Sequence, residues 1–84
     1  MFYVYLIKDE AGGLYYGFTG DLRRRLAEHN SGSSKFTSGR KWKLVYYEAY
    51  FSSSDARQRE SSLKKHGQAL ARLKLRLKKS LIES

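Results

Sequence analysis

The sequence predicts an α+β protein: a small three-stranded antiparallel sheet flanked by three helices, in the order β-β-α-β-α-α. Two runs rich in aromatic and β-branched residues, 2–7 and 14–19, flank a Gly-Gly turn, which is typical of a β-hairpin. A third such run covers residues 42–51. Leucines then recur at helical spacing towards the end of the chain, and helices of this kind cover the apolar face of a small sheet.

Each predicted helix has its own start or stop signals. Asp21 is an N-cap for the first helix, and the Asn-Ser-Gly turn at residues 30–32 ends it. Serines at 52–54 offer caps for a second helix that runs to His66, and Gly67 interrupts it. The third helix is predicted over residues 68–82. One apolar stripe runs along it: Leu70, Leu73, Leu77 and Leu81.

The composition favours a polyanionic partner. The 84 residues include 17 Lys+Arg and 8 Asp+Glu, a formal net charge of +9, and the excess lies in residues 21–43 and 61–84. Nucleic acid is therefore a better partner than a membrane. The absence of cysteine excludes a disulfide scaffold, a zinc finger and a thiol nucleophile, and it suits the cytoplasm. We expect one domain over residues 1–84, without a signal peptide or a membrane span.

The first helix brings basic side chains to its apolar face. Leu22 and Leu26 must face the core, so Arg25 and His29 border or enter that face, whereas Arg24 points to solvent. An inward guanidinium is costly unless it is paired, because it cannot lose its proton. Arg25 therefore either forms a salt bridge or binds an anion.

The second helix carries a carboxylate, Glu60, on the face of Ala56 and Leu63. One interpretation is a buried ion pair with Arg25. The other is an oxygen ligand for one hard divalent cation, Mg²⁺ or Mn²⁺, beside a substrate phosphate. A single carboxylate suits a cation that keeps most of its waters and borrows phosphate oxygens.

Two tyrosines extend this set. Alternation places Tyr3, Tyr5 and Ile7 on one face of the first strand, and Tyr15 and Gly17 on one face of the second. A hairpin brings Tyr5 and Tyr15 together if the register allows it. Two phenols, a guanidinium, an imidazole and a carboxylate then converge.

That set resembles the GIY-YIG nuclease domain over residues 2–66. Residues 3–5, Tyr-Val-Tyr, stand where the family has Gly-Ile-Tyr, and residues 15–17, Tyr-Tyr-Gly, stand for Tyr-Ile-Gly. The run 17–26 resembles the family pattern Gly-x-(Thr/Ala)-x-(Asp/Asn)-Leu-x-x-Arg-Leu, which makes Arg25 the family arginine. The likeness is to small stand-alone bacterial members, and it extends to the nuclease domains of the DNA-repair excinuclease and of phage-intron homing endonucleases.

The rest of the pattern matches in part. His29 falls on the family's following His/Tyr position, and Glu60 is similar to its metal-binding glutamate. Tyr3 replaces the first glycine of the family. The asparagine that many nuclease members carry downstream of the glutamate is absent, and the only asparagine in the chain is Asn30.

The resemblance implies a divalent-metal-dependent DNA endonuclease or nickase that hydrolyses phosphodiester bonds in DNA repair or recombination. Glu60 then binds one Mg²⁺ or Mn²⁺, Arg25 holds a non-bridging phosphate oxygen, and His29 binds phosphate or assists proton transfer. Tyr5 or Tyr15 orients or deprotonates the attacking water. A phenol has an ordinary pKa near ~10, so the basic role requires Arg25 and the metal to lower it.

Seven further cations are expected to hold phosphates without reading bases: Arg23, Arg24, Lys35, Arg40, Lys41, Lys64 and Lys65. RNA is the alternative substrate to DNA. The alternative function is a nucleic-acid-binding module that has lost catalysis, as the missing asparagine suggests. A third interpretation is a protein partner that binds the C-terminal helix, where Leu75 and Ile82 form a second apolar stripe. The alternative is that both apolar stripes of this helix are buried in the core.

Overall fold

The computed structural model describes residues 1–32, 39–65 and 67–83. The predicted α+β order is confirmed. The strands and helices within the described residues are β1 (Phe2–Asp9), β2 (Leu14–Thr19), α1 (Leu22–Ser31), β3 (Trp42–Tyr50), α2 (Ser53–Lys65), α3 (Gly67–Arg76) and α4 (Lys78–Glu83). In this part of the chain, none of the helices is of a length and apolarity that would span a bilayer.

The helix predicted over residues 68–82 is divided in two at Leu77. The Leu77 amide donates to the carbonyls of both Leu73 (3.1 Å) and Lys74 (3.2 Å), which tightens the last turn of α3. The chain then continues as α4, where Leu81 donates to the Leu77 carbonyl. Leu75 and Ile82 are 74% and 72% exposed, so neither of them wraps into the core.

The central strand of the sheet is β1. The order is β2-β1-β3, and both pairings are antiparallel. Four successive β1 residues, from Val4 to Ile7, are buried. A strand that is buried on both faces requires cover on both sides of the sheet.

The two faces of the sheet have separate cores. On one face, Tyr5, Ile7 and Trp42 pack against Leu22 and Leu26 of α1. On the other face, the buried residues are Val4, Ala56, Leu63 and Leu73, which come from β1, α2 and α3. The sheet therefore lies between α1 on one side and α2 with α3 on the other.

Polar contacts at its ends hold α1 in place. The Asp21 side chain accepts from the Arg24 amide at 3.1 Å, and Gly32 ends the helix with φ of 83°, so both predicted signals are confirmed. The Asn30 amide group donates to the Trp42 carbonyl at 3.0 Å and accepts from the Trp42 amide at 2.6 Å. This pair of bonds fastens the end of α1, and with it His29, to the start of β3.

Candidate active site

Glycine at position 17 shapes the site. In the β1–β2 register Tyr5 pairs with Gly17 and Ile7 with Tyr15, so Tyr5 and Tyr15 are diagonal neighbours on the face that α1 covers. A Cβ atom on Gly17 would lie 2.6 Å from the Tyr5 Oη. The missing side chain therefore lets the Tyr5 phenol lean across β2, an edge strand of the sheet.

A chain of hydrogen bonds joins three of the candidate residues. Arg25 Nε donates to Tyr5 Oη at 3.3 Å, and Tyr5 Oη lies 2.8 Å from Nε2 of the fully buried His29. Among the described residues, His29 Nε2 is the one acceptor bonded to Tyr5 Oη, so we assign the phenol proton to that bond. This assignment makes His29 a neutral imidazole that accepts at Nε2.

The pKa shifts agree with that assignment. Burial lowers the pKa of His29, and the nearby charge of Arg25 lowers it further against the opposing effect of Glu28. Burial raises the pKa of Tyr5 and outweighs the hydrogen bond and the charge of Arg25, which act in the other direction. Arg25 lowers the pKa of Tyr5 by less than burial raises it, so Tyr5 is protonated at neutral pH.

Arg25 pairs with Glu28, on its own helix. Arg25 Nη1 lies 3.0 Å from Glu28 Oε1, and the Arg25 side chain is 31% exposed, whereas that of Arg24 is 74% exposed. The expectation that Arg25 reaches the apolar face and Arg24 the solvent is confirmed. The alternative ion pair between Arg25 and Glu60 is not formed among the described residues, because Glu60 Oε2 instead lies 3.4 Å from Lys64 Nζ.

Tyr15 packs against His29. Its ring centroid lies 5.0 Å from that of His29 and 6.3 Å from that of Trp42, in edge-on geometry in both cases. Tyr5 lies on the same imidazole, with ring centroids 5.7 Å apart. Tyr15 thus supports the His29 ring, whereas Tyr5 also forms a hydrogen bond to it.

Glu60 lies on α2, on the opposite side of the sheet from α1. It lies three residues after Arg57, whose guanidinium sits 4.5 Å above the ring of Phe18 in β2, so Glu60 is on the flank of α2 that faces β2. Its side chain is 21% exposed, and its charge raises the pKa of Tyr5. Among the causes that act on the pKa of Tyr5, the charge of Glu60 is the smallest.

The cations proposed to hold phosphate are exposed where the structure describes them. Arg40 Nη1 is 3.0 Å from the buried Asp9 carboxylate, yet the Arg40 side chain stays 60% exposed. Lys64 contacts Glu60, and Lys35 lies outside the described residues. The remaining members are exposed: Arg23, Arg24, Lys41 and Lys65.

Sequence reasoning did not single out Glu28 or Glu48. Glu28 follows Arg25 by three positions, a standard spacing for a helical ion pair, so the spacing itself was a usable signal. Glu48 binds Arg59 of α2, and no local pattern relates those two positions.

His29 makes the stability of the fold depend on pH. Its pKa in the folded chain lies below the ordinary 6.5, so the unfolded chain takes up a proton first as the pH falls. The free energy of unfolding should therefore be constant above about pH 6.5 and decrease below it, down to the folded-state pKa. Urea denaturation across this range measures the effect, and a His29→Gln variant should lose this step. The same slope in both proteins would contradict the assignment.

The fold and this site define a class of protein. Residues 1–74 match the family model described as the GIY-YIG catalytic domain, so the chain belongs to that family, and the resemblance to its nucleases is confirmed. The chain is 42% identical over 67 residues to a UPF0213 protein from Clostridium perfringens, with 77% of this chain and 72% of the relative covered. A UPF0213 protein from Halobacterium salinarum is 41% identical over 71 residues, 82% of this chain and 92% of the relative.

A third relative, a UPF0213 protein from Streptococcus pneumoniae, is 42% identical over 65 residues, with 75% of this chain and 66% of the relative covered. No solved structure gives a significant match.

Proposed function

We propose that the chain is a divalent-metal-dependent endonuclease or nickase that hydrolyses phosphodiester bonds of DNA in the cytoplasm, in repair or recombination. The observation that supports this most strongly is the hydrogen-bonded chain of Arg25, Tyr5 and His29, with Glu60 on the flank of α2 that faces β2. Membership of a nuclease family and the net charge of +9 support it independently.

Arg25 binds the scissile phosphate in this proposal. Its bonds to Tyr5 and Glu28 use Nε and Nη1, and a guanidinium has five N–H donors, so others remain for a non-bridging oxygen. Charge-assisted bonds of this kind stabilise the extra negative charge of the pentacovalent transition state. Glu28 keeps the guanidinium oriented before substrate arrives.

Tyr5 and His29 take up the proton of the attacking water in this proposal. As water attacks phosphorus, its proton passes to Tyr5 Oη while the phenol proton passes to His29 Nε2, so Tyr5 stays neutral and His29 becomes the cation. This route avoids a free phenolate, which the raised pKa of Tyr5 disfavours. The lowered pKa of His29 keeps its Nε2 unprotonated at neutral pH, and the same burial and charge of Arg25 make the imidazolium less stable. Of the two phenols, Tyr5 is therefore the one we assign to the water.

Glu60 would hold the cation. The described ranges contain no group of three or more His, Cys, Asp or Glu side chains placed to bind a metal ion, so a complete protein cage is not available there. A lone carboxylate fits Mg²⁺ or Mn²⁺ that keeps several waters and shares phosphate oxygens with the substrate. Such a cation, when bound, supplies charge stabilisation for the transition state and the leaving oxygen. Lys64, 57% exposed, can release Glu60 for this role.

A panel of labelled DNA and RNA tests the proposal. Linear, nicked, flapped, branched and single-stranded substrates are incubated with Mg²⁺ or Mn²⁺ and with wild-type protein or Glu60→Ala. We expect the wild type to cut at least one DNA form and Glu60→Ala to abolish cutting, because the variant loses its metal ligand. Equal trace activity in both proteins would contradict nuclease function.

The alternative outcome has its own signature. A chain that binds nucleic acid tightly, with an affinity that falls steeply with salt, but cuts none of these substrates is a binding module.

A protein partner on α3 and α4 remains part of the proposal, supported by the exposure of Leu75 and Ile82.

A further inference from the structure

A second polar cluster lies on the opposite face of the sheet. Its centre is Glu48 of β3, whose Oε1 accepts from Arg59 Nε at 2.9 Å and whose Oε2 accepts from Arg59 Nη2 at 3.0 Å. The hydroxyl of Tyr46 donates to Oε2 at 2.6 Å, and the hydroxyl of Tyr50 donates to Oε1. Both oxygens of the carboxylate are thus engaged, and Arg59 binds in the two-pronged geometry that fixes an ion pair most firmly.

The cluster is largely withdrawn from solvent. The side chains of Glu48 and Arg59 are 16% and 27% exposed. Burial acts to raise the pKa of Glu48, but the bonds from Arg59, Tyr46 and Tyr50 outweigh it and lower the pKa. Burial and the bond to Glu48 raise the pKa of Tyr46 and of Tyr50 to about 12. The ion pair and its two hydroxyl donors therefore keep the same protonation across the neutral range.

The position of Arg59 gives this ion pair a consequence for the active site. Arg59 directly precedes Glu60, and an α-helix has 3.6 residues per turn, so anchoring Arg59 to β3 sets the direction in which Glu60 projects. Ala56 and Leu63 turn the apolar face of α2 to the sheet, and the ion pair adds a directional contact to these apolar ones. On its other flank Arg57 lies over Phe18 of β2.

We propose that the Glu48–Arg59 ion pair is a positioning device for Glu60: it fixes the rotation of α2 about its axis, so that the carboxylate faces Tyr5 across β2. Neither residue is catalytic, because both act through Glu60. The inference rests on the proposed function, in which Glu60 binds a divalent cation.

Mn²⁺ alone, added to the intact chain, provides a readout that does not depend on cleavage. A paramagnetic ion held by Glu60 broadens the NMR signals of the nearby Tyr5 and His29 rings. The comparison uses wild type, Glu60→Gln, Arg59→Gln and the matched control Arg57→Gln, which removes the same charge from the same helix without touching Glu48. Folding is checked in each sample by signal dispersion.

The sign of the effect separates positioning from electrostatics. Removing either arginine takes a positive charge away from the metal, so Coulomb's law alone predicts slightly tighter Mn²⁺ binding in both variants. We expect Arg57→Gln to behave in this way. We expect Arg59→Gln to need about 10-fold more Mn²⁺ for the same broadening, at the lower end of what loss of an outer supporting contact costs a metal site.

Arg59→Lys keeps the inference testable if Arg59→Gln does not fold. Lysine retains the charge but not the two-pronged bond, so the Mn²⁺ requirement should rise by an intermediate factor. Wild-type Mn²⁺ binding in both folded Arg59 variants would overturn the positioning role and leave the pair a structural contact. Equal broadening in wild type and Glu60→Gln would instead show that Glu60 is not the ligand, which overturns the metal assignment and the positioning role together.

Discussion

Replacing Tyr5 with phenylalanine should slow phosphodiester cleavage by about 10²–10⁴-fold, the usual contribution of a positioned proton-transfer group. The substitution removes the oxygen that links Arg25 to His29 but keeps the ring that packs beneath α1. It also leaves the buried His29 Nε2 without its bond to Tyr5, which should lower the free energy of unfolding by about 1–3 kcal/mol. Single-turnover rates with protein in excess measure the cleavage step, and urea denaturation measures the stability.

Tyr15→Phe is the matched control for this prediction. Tyr15 contacts His29 through its ring, and phenylalanine keeps that contact. Its cleavage rate should therefore stay much closer to wild type than that of Tyr5→Phe. The reverse order, a large loss in Tyr15→Phe with near-normal cleavage in Tyr5→Phe, would show that the other phenol acts on the water.

Arg25→Ala should reduce the single-turnover rate by about 10²–10³-fold, as expected for loss of a preorganised donor to the transition state. Arg24→Ala removes one charge from the same helix, where the Arg24 side chain is 74% exposed and its Nε lies 3.9 Å from Glu28 Oε2. In the proposed function Arg24 belongs to the phosphate-holding surface. We expect Arg24→Ala to weaken binding and to reduce the slope of log affinity against log salt by about one, with its effect on KM and not on kcat.

The comparison of these two arginines separates binding of the nucleic-acid phosphates from cleavage of the phosphodiester bond. Each variant lowers the net charge of +9 by one, so a purely electrostatic role predicts the same loss for both. Equal losses in the cleavage step would contradict a specific role for Arg25. Binding isotherms at several salt concentrations, measured beside the single-turnover rates, distinguish the two cases.

The parts of the fold that depend on local pattern were predictable. The three strands follow from β-branched and aromatic runs bounded by turn residues, and α1 follows from its caps at Asp21 and Gly32. The helical spacing of Leu22, Arg25, Leu26 and His29 placed a guanidinium and an imidazole at the apolar face, where the structure has them.

Features that depend on tertiary contacts were not predictable. The register that puts Tyr5 over Gly17 is set by how the two strands pair, and sequence alternation alone leaves it open. No glycine or proline lies at the break at Leu77, so the sequence has no local signal that predicts it. Glu48 stands in a strand of apolar and aromatic residues, and its partner Arg59 lies in a different element, so no periodicity connects them.

In the proposed function, Glu60 on one side of the sheet and Tyr5 on the other act as one site. A double-mutant cycle tests it most directly: single-turnover cleavage of the best DNA substrate by wild type, Tyr5→Phe, Glu60→Gln and the double variant, with saturating Mg²⁺ or Mn²⁺. Glutamine keeps a neutral oxygen that is a weaker ligand, so that a residual rate can be measured. Groups that act as a unit are strongly non-additive, so the double variant should cut no more slowly than the worse single variant. Losses that multiply, or a wild type that cuts no faster than the double variant, would contradict it.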